Sequence, residues 1–418
     1  MNSSASPNLP MEIIDEVAGH LPPTAVLSLA LTAKAVYEVT IRHFYRDISV
    51  MSIRDGVLAL KLQRASIECM KALLSDERKR QGVETLVFHG IGVLDVRIDD
   101  QEIMVPEPYS TQIKKRRSEW IKTQPIFSDL ANATLSGNFE FIRLETLHYD
   151  GNALLNEHDA ERLLNFLGRH PEIKNVIVNG DNTRPFNKLV FSRLPNDLSC
   201  RLTRLERAVI YGPLLPLLLG FSFSPSQTSD GYGPLVRKGS LQDTLPLKRV
   251  HLWWPQRVVR IVDVDEGDEA IPSRVTVDLD LFHVMNALSS VCRLTLEVLH
   301  IATDDEQMDE DLMNIVCGQF PNLRELSLGP AHSDPMGRLH NQTFLRRMAE
   351  KLGKLKHLER FLYSNVSEDV ETSRLGNVLE QWDETLRCFA DRCPALNYMQ
   401  LYLLTWRRLT GTPSVHWG

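Results

Sequence analysis

The chain has 418 residues, 43% of them hydrophobic and 24% charged, a balance typical of globular material and long enough for several domains or one extended repeat array. Its formal charge of -7 gives no general attraction for nucleic acid or anionic membrane. The six cysteines (Cys69, Cys200, Cys292, Cys317, Cys388 and Cys393) include no close CxxC pair for zinc or redox work, and most read as buried thiols in a reducing compartment.

The opening MNSSASPN lacks the basic flank and apolar core of a signal peptide, and residues 1–8 read as a disordered tail. The most apolar run, PLLPLLLGF at 213–221, is interrupted by Pro216 and falls short of the ~20 residues that span a bilayer. A cytoplasmic or nuclear protein is expected. The basic run KKRR, at 114–117, reads as a solvated loop rather than an import signal.

Residues 9–23, LPMEIIDEVAGHLPP, predict a short helix between two Leu-Pro steps. Pro10 suits a first helical turn, and Glu12 and Asp15 suit its positive end. Ile13, Ile14, Val17 and Leu21 recur at helical spacing as one apolar stripe. Gly19 and His20 weaken the last turn, Pro22 and Pro23 stop it, and Pro23 opens a second helix over 24–31. That helix is apolar on nearly every side (Ala25, Val26, Leu27, Leu29, Ala30, Leu31), so it must be covered on every side. A third helix, with Thr32 as its cap, carries Ala33, Val36, Tyr37, Ile41 and Phe44 and covers one flank. So small a unit buries too little surface to shield itself. The remaining cover is either the chain's own domain or another molecule.

The Leu9-Pro10 step, the Ile13, Ile14, Val17 stripe, the Leu21-Pro22 step, the Leu27, Leu29, Leu31 run, Lys34 and the closing FYRDI at 44–48 together resemble an F-box, in detail the divergent F-boxes of fungal proteins. The resemblance covers residues 9–50. It implies a trihelical module that docks on the small adaptor subunit of a cullin-RING (SCF) ubiquitin ligase and, through it, on the cullin. It also implies Leu9, Pro10, Ile13, Ile14, Leu21, Pro22, Leu27, Leu29 and Lys34 as adaptor contacts. Val36 and Tyr37 stand near the position where the family usually carries a tryptophan or another bulky residue.

A connecting helical segment is expected over 51–80. From 81 to 418 a short pattern, L-x-x-L-x-L with aliphatic or aromatic substitutes, returns nine times, beginning at Val83, Leu144, Ile173, Leu205, Leu247, Leu296, Leu323, Leu358 and Leu396. Alternation within each piece predicts a strand with one side buried. Amphipathic helices precede several strands: Ala160, Leu163, Leu164 and Leu167 make one face; Leu281, Val284, Met285 and Leu288 another; Leu312, Ile315 and Val316 a third; Phe344, Leu345, Met348 and Leu352 a fourth. Pro171, Pro321 and Pro394 stop three of these helices two residues before a strand's first apolar residue.

Such units cannot bury their apolar faces singly and must stack. The pattern resembles a leucine-rich-repeat solenoid, which implies an α/β architecture of helix-strand repeats with a parallel sheet. The turn asparagine of the full signature appears only at Asn152, followed by Leu154. Leu296 to Leu323 falls within the ~20–29-residue period of such repeats, whereas Leu247 to Leu296 is far longer and implies an insertion. Insertions are expected near 222–240, rich in Ser, Gly and Pro, and near 263–275, which opens on the acidic DVDEGDE; TDDEQMDED at 303–311 reads as a second acidic loop. The rival architecture is a doubly wound sheet, whose strands are usually near-continuous aliphatic runs rather than these polar-interrupted ones.

The residue between the fourth and sixth positions is His148, His251 and His300 in three repeats, and Trp253 and Trp254 follow the middle one. In a solenoid these intervening positions face the binding surface, and clustered aromatics anchor interfaces, so His251, Trp253 and Trp254 are the candidate target-binding residues. The alternative keeps the tryptophans partly buried and the histidines merely exposed. No GxSxG elbow, P-loop or HExxH occurs, and nothing assembles a nucleophile, base and orienter, so no catalytic residue, cofactor or metal is expected. By resemblance, the chain is a non-catalytic substrate receptor of a ubiquitin ligase. The runner-up is a repeat scaffold without any ligase role.

Overall fold

All nine segments of the L-x-x-L-x-L pattern form strands at the predicted places in the computed structural model. It describes residues 9–52, 59–91, 109–151, 157–179, 200–223, 235–237, 244–254, 259–264, 273–278, 281–303, 309–330, 342–363, 382–401 and 404–408. The chain divides into two units, Met1–Asp181 and Asn182–Gly418.

The first unit opens with three helices, α1 (Met11–Gly19), α2 (Pro23–Ala30) and α3 (Lys34–Phe44), and runs directly into strand β1 (Asp47–Met51). Then follow α4 (Ala59–Ser75), α5 (Glu77–Gln81), β2 (Thr85–Ile91), α6 (Tyr109–Ser136), β3 (Thr146–Gly151), α7 (Glu157–Arg169) and β4 (Asn175–Asn179). The four strands are parallel and adjacent in chain order. The basic run at 114–117 lies inside α6 rather than in a loop.

In the second unit β5 (Arg207–Tyr211) is followed by a buried turn and the four-residue α8 (Leu215–Leu218), which absorb the apolar run. Gly220, at φ +82°, then takes the left-handed conformation that a side chain would strain. A hairpin of β6 (Phe221–Phe223) and β7 (Leu235–Arg237) leads to β8 (Arg249–Trp254). A second antiparallel hairpin, β9 (Val259–Val264) and β10 (Ser273–Asp278), means that the acidic insertion begins and ends in strand. After it come α9 (Leu281–Cys292), β11 (Val298–Thr303), α10 (Asp309–Gln319), β12 (Glu325–Pro330), α11 (Gln342–Leu352), β13 (Arg360–Tyr363), α12 (Trp382–Arg392), β14 (Tyr398–Leu401) and β15 (Leu404–Arg407). Strands β5, β8, β11, β12, β13 and β14 are parallel neighbours in that order, and β15 closes the row antiparallel. Among the described residues neither unit shows the reversal of strand order that a doubly wound sheet requires. The tail at 1–8, Asn152 and Leu154, and most of the two insertions and of the acidic loop at 303–311 lie outside the described residues.

Burial follows the repeat. The first position is buried from Val83 and Leu144 through to Leu396, the fourth from Leu86 through to Met399, and the sixth from Phe88 through to Leu401. A fourth buried position, three residues before six of the nine patterns, holds Phe141, His170, Leu202, Phe320, Leu355 and Cys393. Its carbonyl accepts the N–H of the first-position residue in most repeats, as from Leu144 to Phe141 (3.1 Å) and from Leu323 to Phe320 (3.3 Å). The three prolines act as expected: α7, α10 and α12 each end two residues before one.

Where this slot is buried, the other repeats fill it with Phe, Leu or Cys; His170 fills it here and stays neutral. Its Nε2 accepts the Phe141 N–H (3.1 Å) and its Nδ1 donates to the Phe166 carbonyl (2.8 Å). Burial holds its pKa below the ordinary 6.5.

A backbone device joins neighbours. The carbonyl of the second-position residue accepts two N–H groups from the next repeat: Glu84 takes those of Glu145 (2.9 Å) and Thr146 (3.0 Å), and Glu297 takes those of Arg324 (2.8 Å) and Glu325 (3.0 Å). The first such carbonyl is that of Arg46, which accepts from Glu84 and Thr85. Residues 45–50, YRDISV, are therefore a further repeat, with Ile48 and Val50 buried opposite Leu86 and Phe88. The strand falls inside the span assigned from sequence to the three-helix module, and α3 serves as its preceding helix.

Second-position side chains pair across neighbouring strands, as Lys174 with Glu145 (2.6 Å) and Arg324 with Glu359 (3.2 Å). Exposed pairs of this kind contribute ~0–1 kcal/mol each. A buried leucine column contributes more per residue. Leu326→Ala should cost ~2–5 kcal/mol, whereas Leu294→Ser, at an exposed site, should stay within ~0.5 kcal/mol, both read from urea unfolding midpoints.

Candidate docking surfaces

Helix α3 is the base on which α1 and α2 sit, and it packs against both. Its inward residues are Val36, Thr40 and Ile41, while Tyr37 and Phe44 are half-buried. It has no side-chain cap: its N-cap is Ala33, and the Thr32 hydroxyl instead donates to the Leu29 carbonyl (2.7 Å) at the end of α2. Pro23 opens α2 as expected, whereas Pro10 stands one residue ahead of α1, its carbonyl accepting the N–H groups of Ile13 and Ile14.

Polar groups clamp α1 to α3. The Asp15 carboxylate accepts from Arg42 Nε (3.1 Å), from Arg42 Nη2 and from His43 Nε2 (2.7 Å), and Arg46 Nη1 donates to the Gly19 carbonyl (3.2 Å). Burial opposes ionisation of Asp15, but the hydrogen bonds and charges of His43 and Arg42 outweigh it and hold its pKa below the ordinary 3.8.

Because the clamp is polar, the apolar stripe of α1 is left turned outward. Ala18 is the only buried residue of α1; Met11, Ile13 and Val17 are exposed, and Ile14 and Leu21 half-buried. On α2, Val26 and Ala30 are buried against the bundle while Leu27 is exposed and Leu29 half-buried. Leu31 is 75% exposed and Leu9 63%. Six of the twelve exposed large apolar side chains among the described residues therefore fall within 9–31. Pro10, Pro22 and Lys34 are exposed as well. Met11, Val17 and Leu31 are exposed beside the residues expected from sequence, of which Ile14 and Leu29 lie on the inner side of the same runs. The clamp residues Asp15, Arg42 and His43 carry no sequence signal, since they meet only through the fold.

The second candidate lies on the open face of the second unit. Register places Arg207, Arg249, Val298, Glu325, Arg360 and Tyr398 in one row at the third position, and Val209, His251, His300 and Ser327 in the row at the fifth. The rings of His251 and His300 lie 4.1 Å apart. His300 Nε2 meets Glu325 Oε1 at 2.9 Å, and Arg360 Nη1 donates to the other oxygen of that carboxylate at 3.3 Å. Burial, then the neighbouring His300 and Arg207, press the His251 pKa down to about 4, so the ring is neutral near pH 7. His148 belongs to the first unit, where it stands opposite Val87 and Ile177.

The two tryptophans part company. Trp253 is 43% exposed on the side of His251, as alternation requires. Trp254 is 4% exposed on the opposite side with Val250 and Leu252, and presses on Gly212, where an added Cβ would lie 2.4 Å from its ring. It is a core residue and not part of the candidate face.

Burial pushes the thiols of Cys200, Cys317 and Cys393 up to about 12. Among the described residues no helix is long and apolar enough to cross a membrane, and no group of His, Cys, Asp and Glu is placed to hold a metal ion.

Asp15→Asn should lower stability by about 1 kcal/mol or less at pH 7, given the part-exposed pair. Because the folded pKa is the lower one, that advantage is present above ~3.9 and disappears as pH falls through the folded value. Thermal unfolding of both forms between pH 7 and 3 should show the gap closing. No protein-family model matches the chain and no curated protein matches it significantly, so these surfaces are read from their geometry alone.

Proposed function

We propose that the chain is the substrate-recognition subunit of a cullin-RING (SCF) ubiquitin ligase. Its first three helices are the F-box, gripped by the adaptor subunit, and the leucine-rich-repeat-like strands present the face that grips a target protein. The observation that carries this reading is the outward apolar stripe on α1 and α2: a module of this size leaves Leu9, Ile13, Leu27 and Leu31 in water unless a second molecule covers them. The joint supports it too, because α3 is at once the base of the module and the helix of the first repeat.

The mechanism is proximity rather than bond chemistry. Holding a target beside a charged conjugating enzyme raises the effective concentration of its lysines, and no catalytic group of this chain takes part. The site of action would be the cytoplasm or nucleus.

The test uses the purified adaptor subunit and the full chain. Deleting residues 1–50 would also remove β1, so single substitutions on exposed side chains are cleaner. Leu31→Asp and Leu27→Asp should each weaken adaptor binding at least tenfold, ~1.4 kcal/mol, in calorimetry, with thermal unfolding unchanged. Adaptor binding that is absent in the wild type, or indifferent to both variants, would leave a repeat scaffold without a ligase role as the reading.

A further inference from the structure

The open face of the second unit is electrically lopsided. On the side of β12 and β13 the charges are matched: Glu325 serves both His300 and Arg360, and the Arg360 guanidinium lies 5.1 Å from the centroid of the Tyr398 ring. On the side of β5 and β8 they are not. Arg207 and Arg249 stand directly opposite each other on adjacent strands, and neither has a carboxylate within ion-pair distance among the described residues. Arg207 Nε is buried and makes no hydrogen bond. Two like charges at strand spacing, with a buried donor left over, are unfavourable in isolation and become favourable once an oxyanion lies between them.

Beyond Arg249 on the same strand and face stands Trp253, an exposed aromatic whose register partners are Tyr211 on β5 and Ala302 on β11. From Arg249 to Trp253 is four residues of strand, ~13 Å.

We propose that Arg207 and Arg249 bind an oxyanion carried by an extended peptide segment of the target protein, with Trp253 as the anchor for an apolar side chain about four residues away along that segment. This rests on the receptor reading above and gives its target class. Charge complementarity selects the occupant: paired guanidiniums favour phosphate or clustered carboxylates, presented bidentately. The neutral His251, between Arg249 and Trp253 along β8, adds hydrogen-bonding capacity without charge, so the preference comes from the arginine pair.

The test is fluorescence polarisation with the full chain and no adaptor, so that it is independent of the docking reading. The probes are three labelled nine-residue peptides with phenylalanine at position three and phosphoserine, glutamate-glutamate or lysine beginning at position seven. The phosphoserine or the glutamate peptide should bind at least tenfold more tightly than the lysine peptide, and which of the two binds better distinguishes phosphate from carboxylate recognition. Arg207→Ala and Arg249→Ala should each weaken that binding at least tenfold and Trp253→Ala at least threefold, while Arg360→Ala changes it less than twofold, with unfolding midpoints of the arginine variants matched to the wild type. No preference over the lysine peptide, or equal loss with Arg360→Ala, would overturn the proposal. Inorganic phosphate or a single-stranded oligonucleotide that competes as well as the peptide does would overturn its peptide part.

Discussion

One backbone carbonyl per repeat fixes the geometry on which everything else in this chain depends. By accepting two N–H groups from the following repeat, the second-position carbonyl sets the register of the next strand before any side chain is considered. A slip of one residue would turn the buried fourth and sixth positions outward and the mostly polar third and fifth inward, so hydrophobic burial and hydrogen bonding enforce the same arrangement. The surface charges that also pair along the second position are too exposed to compete with that. They decorate a register already decided by the core.

The same constraint determines where the N-terminal helices attach. The carbonyl of Arg46 is the first of the series, so α3 is locked to the sheet by the bonds that lock one repeat to the next. Helices α1 and α2 have no such tie. Both pack on α3, α1 by a polar clamp to which Arg46 also contributes and α2 by Val26 and Ala30. Tying α1 down through Asp15 leaves Met11, Ile13 and Val17 free of internal duty. This arrangement costs solubility unless a partner covers them, which is the physical content of the adaptor-docking proposal.

Much of this was legible in the sequence. The nine strands, four helical faces and three proline stops follow from periodicity and from the missing proline N–H, both local rules. The repeat at 45–50 was hidden because its leading residue is Tyr45 and because its segment also completes the F-box resemblance. Trp254 differs from its neighbour by strict alternation: counting from Val250 puts it on the core side with Leu252. The rows that hold Arg207 and Arg249 are readable once register is known, but their lack of acidic partners is not, since pairing depends on which strands become neighbours. The Asp15 clamp is likewise a tertiary contact between residues far apart in sequence. Position 170 shows the converse, a histidine whose burial follows from its place in the repeat although its chemistry argues otherwise.

The central claim is that the outward face of α1 and α2 is the seat of a second protein. Amide hydrogen exchange of the full chain, with and without the ligase adaptor subunit, addresses it most directly. The account predicts slowed exchange in Met11–Gly19 and Pro23–Ala30 on adding adaptor, with the strands of the second unit unchanged. Unaltered exchange in both helices at saturating adaptor, or protection confined to the repeats, would contradict it.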